Sequence, residues 1–158
     1  MLSCDVTSIR DAIVLLGTRR LQNWVTLLVM GGSDSAPNEL MTIAMVRARM
    51  CELLSESEAA AQSAFTIGLL SVLDALLDQP MSEVLKNLPL AASLQEALAS
   101  GTGPYGKLLK TVVAYERGNP LPGSVDPVRA RTAYLGAVGW SIRALDALFG
   151  PSPAPGRV

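Results

Sequence analysis

The strongest constraint on this chain is the way glycine and proline cut it into apolar segments of helical period. Stops fall at Gly17, Gly31 and Gly32, Pro80, Pro89, Gly101, Gly118, and Gly150 with Pro151. Between them, apolar residues recur every three or four positions, as one face of a helix requires. Leu40, Ile43, Val46, Met50, Leu53 and Leu54 follow this spacing, while Arg47, Arg49 and Glu52 take polar positions. No stretch alternates convincingly with period two, and no Asn-Gly or Asp-Gly turn joins two candidate strands. The chain therefore reads as all-α: one compact domain of about eight helices over residues 1–150. The tail 151–158, PSPAPGRV, is expected to be disordered.

Capping chemistry supplies the predicted boundaries. Ser8, with Asp11, caps a short helix Ile9–Leu16, and Thr18 caps a second from Arg19 to Met30. After the loop Gly31–Asn38, Asn38 is the expected N-cap of Glu39–Leu54. Ser55 and Glu58 have the spacing of a capping box for a helix reaching Leu77 or Asp78 and stopped by Pro80. Shorter helices are predicted over Ser82–Leu88 and Ser93–Ala99. Pro104 suits the first turn of the next, which runs to Arg117. Asp126 and Pro127 form an N-cap and N1 pair for the last helix, to Phe149.

The composition then removes whole classes of function. The chain has no histidine, so the commonest general base, metal ligand and activator of a Ser or Cys nucleophile is missing. With 13 basic and 14 acidic residues and a net charge of -1, it has no global field for nucleic acid or anionic lipid. Mean hydropathy is +0.33, yet the most apolar stretch, Ala64–Leu77, is shorter than a membrane span and carries Thr66, Ser71 and Asp74. It reads as a buried core helix. Cys4 and Cys51 are too few and too far apart for a disulfide framework or metal knuckle, so both are expected as free thiols in a reducing compartment, the cytoplasm.

Three segments together carry a family resemblance: SIRDAIVLLGTRRLQNWVTLLVM (Ser8–Met30), MVRARMCELL (Met45–Leu54) and AFTIGLLSVLDALLDQPMSEVLKNLPL (Ala64–Leu90). They resemble the HDOD family, and most of all the HDOD half of bacterial EAL-HDOD signalling proteins. The run GTGPYGKLLKTVVAYERGN (Gly101–Asn119) matches that subgroup's ending. The resemblance implies the helical fold of HD phosphohydrolases without their metal site. In catalytic relatives a His-Asp pair follows Gly-Leu-Leu, and a further histidine lies in the preceding helix. Here Gly68, Leu69 and Leu70 are followed by Ser71 and Val72, and the earlier position falls near Ile43 or Ala44. A neutral hydroxyl is a poor ligand for a divalent metal and alkyl groups are none. These four positions are thus the vestiges of a metal site, and no metal or cofactor is expected.

The resemblance also implies a regulatory rather than enzymatic role, exerted through contacts with a protein partner or a neighbouring EAL domain of the cyclic-di-GMP phosphodiesterase type. The alternative is a small-molecule or nucleotide sensor using the pocket beside Ile43, Ala44 and Ser71. HDOD domains begin several helices earlier, so the family's N-terminal helices are expected to be missing here. The leading helices would then expose apolar surface that a homodimer contact could cover. Other residues have blander readings. Arg19 and Arg20 open a helix, where the dipole disfavours cations, and are candidate anion contacts. Asp74 and Asp78 lie one turn apart but read as polar-face residues. Trp24, Trp140 and Met50 read as packing anchors, and either Arg47 or Arg49 should pair with Glu52 or a neighbouring helix.

Overall fold

The structure, a computed structural model, describes residues 36–149 apart from positions 87, 89, 123 and 124. The predicted helices Ile9–Leu16 and Arg19–Met30, with Cys4, Arg19, Arg20 and Trp24, lie outside the described residues, as does the tail. Seven helices and no β-strand occur among the described residues, so the all-α reading holds.

Helix α1, Ala36–Leu54, is the centre of the arrangement. It begins two residues before Asn38, which is therefore inside the helix rather than its cap. Pro37 takes the first turn instead, where its missing N–H costs nothing. Ala44, Met45, Ala48, Cys51 and Leu54 form a buried row, and Met50 is fully buried beside it. The last carbonyls of α1 are covered from across the fold: Arg129 Nη2 donates to Leu54 O at 3.2 Å and to Ser55 O at 3.4 Å. A cation there also complements the helix dipole.

Helix α2, Glu58–Leu70, is capped by Ser57, whose Oγ accepts from Ala60 N at 3.2 Å. The expected cap, Ser55, closes α1 instead by donating from Oγ to Glu52 O at 2.8 Å. The predicted continuous helix to Leu77 breaks at Ser71 and Val72. There the Ser71 hydroxyl donates to Gly68 O at 2.7 Å, offering the backbone an alternative to its helical ladder. Helix α3, Leu73–Leu77, resumes the chain and ends at Asp78, which is left-handed at φ 50°. The stop is thus Asp78, two residues before Pro80.

Residues 58–77 reach a mean hydropathy of 1.6 over a length that would suit a membrane span. In the structure they form these two separate helices, and Ala64, Ile67, Val72 and Leu73 lie in the core.

Helices α4, Met81–Lys86, and α5, Ala92–Ser100, come within two residues of their predicted bounds, and Gly101 at φ 66° ends α5. Helix α6, Gly103–Glu116, starts with Pro104 in its first turn. Helix α7, Pro127–Phe149, opens with Asp126 Oδ1 accepting from Val128 N at 3.0 Å, as predicted.

Two apolar clusters hold these elements. One joins α1, α2, α6 and α7 through Met50, Cys51, Leu54, Ala64, Val112, Ala130, Ala133 and Ala137. The buried residues that α7 contributes to it are all alanines, and the half-buried Tyr134 packs against its edge. The other joins α2, α4 and α5 through Ile67, Leu85, Leu90, Leu94 and Ala97. Tyr105 and Leu109 of α6 pack against both clusters and connect them. Each fully buried large side chain contributes about 1.5–3 kcal/mol. Trp140 serves as an anchor: it meets Phe65 edge-on at 5.8 Å, and Arg49 lies over its ring at 5.7 Å. Val128, Leu135 and Ile142, spaced by seven along α7, are exposed.

Candidate functional site

Helices α1 and α2 approach unusually closely because Gly68 has no side chain. A Cβ there would lie 2.5 Å from the Ala48 Cα and N and from the Arg47 carbonyl oxygen. This crossing brings the end of α2 against the middle of α1 and sets Ser71 beside Arg47. Arg47 Nη1 donates to Ser71 Oγ at 3.3 Å. The other edge of the guanidinium grips Glu116 of α6, with Nε to Oε2 at 2.7 Å and Nη2 to Oε1 at 2.8 Å. Such a two-pronged pair is geometrically selective as well as strong.

The four positions to which the resemblance assigns a lost metal site differ in burial and in contacts. Ala44, one turn before Arg47 on α1, is 2% exposed, and Val72 is 3% exposed. Ile43 is half-buried, and the Ser71 hydroxyl is engaged by both Gly68 O and Arg47. Arg47 and Glu116 retain 12% and 25% side-chain exposure. The hydrogen bonds from Arg47 to Glu116 hold the guanidinium above its usual pKa, against the opposing effect of burial. The donor set does not fit a divalent metal: a fixed cation occupies the carboxylate, and the flanking residues are alkyl groups and a committed hydroxyl.

The remaining candidates are placed plainly. Arg49 pairs with Glu52 at 2.7 Å, so both arginines found partners, one local and one distant. Asp74 is exposed and its Oδ1 accepts from the adjacent Ala75 N; Asp78 is exposed at the helix end. No group of three or more His, Cys, Asp or Glu suited to a metal occurs among the described residues. Glu116 completes the site, and no sequence spacing singles it out. The available signal was Arg47 itself, a cation three residues after Ala44 and four before Cys51.

Cys51 is a free, buried thiol whose pKa burial pushes up to about 12, although the Arg47 charge works in the other direction. The unfolded thiol ionises from its ordinary value of 9.0 upward, while the folded one stays protonated. Deprotonation therefore favours the unfolded chain, and stability should fall above pH 9 by up to about 1.4 kcal/mol per pH unit from this group. Denaturant titrations at pH 9 and 10.5 should show this extra loss, and Cys51→Ala should abolish it. An identical pH dependence in the two proteins would contradict the assignment.

Two curated relatives match the chain. The uncharacterized protein YuxH of Bacillus subtilis is 31% identical over 157 residues, 92% of this chain and 38% of its own length. Cyclic di-GMP phosphodiesterase CdgJ of Vibrio cholerae is 37% identical over 120 residues, 73% of this chain and 28% of its own length. The chain is similar to a part of each. It spans about a third of the length of these relatives. No family model matches it, and no solved structure matches it.

Proposed function

We propose that the chain is a non-catalytic regulatory module of the HDOD type, belonging to a bacterial cytoplasmic protein of cyclic-di-GMP signalling and acting through contacts with an EAL domain or another protein. The similarity to part of CdgJ supports the signalling context. The observation that carries the non-catalytic reading is the Arg47 guanidinium, bound to Ser71 and Glu116 where the resemblance puts a divalent metal. A fixed positive charge repels a metal ion and activates no water. Regulation then rests on differential contact: a partner conformation that fits the helical surface better is populated more.

The chain should carry substoichiometric Mn, Fe and Zn when purified without chelator and should not hydrolyse cyclic-di-GMP. Added to an EAL-domain phosphodiesterase from the same protein, it should change that enzyme's rate. Stoichiometric metal, with hydrolysis by the chain itself that is lost on changing Asp74, would sink the proposal. Calorimetry with cyclic-di-GMP separates the sensor alternative, since heats of direct binding to the isolated chain belong to that reading alone.

A further inference from the structure

We infer that the groove between α5 and α6 is a docking site for an acidic amphipathic helix of a partner protein. The groove has a volume of about 350 Å³. Its floor includes Leu98, Leu109 and Val113, all half-buried, and its rim includes the exposed Lys110, Arg117 and Asn119. Lys107, Lys110, Ala114 and Arg117 are separated by three, four and three residues, so they share one face of α6. The only acid of α6, Glu116, is turned to Arg47. Among the described residues, Lys107, Lys110 and Arg117 have no ion-pair partner. In a chain of net charge -1, this face is an uncompensated cationic stripe beside an apolar strip.

The spacing specifies the occupant. Lys110 and Arg117 are seven residues apart, about 10.5 Å along the helix axis. A partner helix with carboxylates at i and i+7 matches both, and its apolar residues at i+3 and i+4 would lie on Leu98, Leu109 and Val113. A nucleic acid fits less well, since the groove has no aromatic side chain on which a base could stack. An exposed rim also encloses a small ligand poorly. The inference rests on the protein-contact reading above and assigns it a surface.

The test uses the 158-residue chain, ¹⁵N-labelled, titrated with a synthetic helical peptide carrying two glutamates seven apart around a Leu-Leu pair. Shifts should concentrate on Leu98, Lys110, Val113 and Arg117. Replacing both peptide glutamates by glutamine should weaken binding about tenfold. Raising salt from about 0.05 to 0.5 M should weaken it further. K110E/R117E should invert the preference, favouring the peptide with lysines in place of glutamates. Lys110→Gln and Arg117→Gln, each removing one charge, should each weaken binding even if the double variant fails to fold. Equal affinity for the glutamate and glutamine peptides, shifts on other faces, or tighter binding of a single-stranded oligonucleotide would overturn the proposal. Those results would leave the protein-contact reading to its own test, the effect of the chain on the EAL-domain rate.

Discussion

Gly68→Ala should lower the stability of the chain by about 3 kcal/mol, the upper end of the cost of overpacking. The new methyl group would meet backbone atoms of Arg47 and Ala48, not the tip of a flexible side chain, so no rotamer change relieves the clash. Helices α1 and α2 must separate, which opens the packing around Ala48 and Ala64, both fully buried. Urea denaturation should show a lower midpoint with an unchanged slope. Gly136→Ala supplies the contrast. Its added methyl meets only Leu53 Cδ1, at an ordinary 3.5 Å, on an exposed stretch of α7. There alanine should raise stability by about 0.5–1 kcal/mol through its better helix propensity. Equal effects at the two positions would mean that the close crossing of α1 and α2 does not hold in solution.

Much of the fold was legible because helices announce themselves locally. The start of α7 at Asp126 and Pro127, the end of α5 at Gly101 and the place of Pro104 follow from chemistry within four residues of each boundary. Boundaries failed where two groups competed for the same role. Ser55 and Ser57 both suit an N-cap, and only the Ser55 bond back to Glu52 O decides between them. The break between α2 and α3 was hidden for a similar reason. Leu69 to Leu77 has uninterrupted helical composition, and a serine hydroxyl turned onto its own backbone leaves no mark in hydropathy.

The site was legible only in its losses. The absence of ligands at Ser71, Val72, Ile43 and Ala44 follows from residue types alone, given the family resemblance. The Arg47–Glu116 pair joins residues 69 positions apart, and no local spacing reports such a pairing. The groove beside Lys110 and Arg117 shows the same limit. The stripe is written along α6, but whether Glu116 neutralises it depends on which way that carboxylate turns, and the turn is set by α1.

Arg47→Met should cost about 3 kcal/mol, because removing one partner of a largely buried ion pair leaves the other without compensation. Glu116 would be left without its cation, and the Ser71 hydroxyl would lose its donor. Glu116→Leu should be comparably harmful, since it strands a guanidinium whose side chain is only 12% exposed. The double variant Arg47→Met/Glu116→Leu is expected to lose no more than either single variant, because two apolar groups of similar volume need no partner. Chemical denaturation of the four proteins closes this cycle, with an expected coupling of about 3 kcal/mol. The coupling bears on function as well as stability. A strong pair would mean that the position where the resemblance puts a metal is held by a cation of the protein itself, so that a metal could enter only by displacing Arg47. A coupling below about 0.5 kcal/mol, the range of exposed pairs, would mean that water screens the guanidinium. Arg47 would then be no barrier to metal at Ser71.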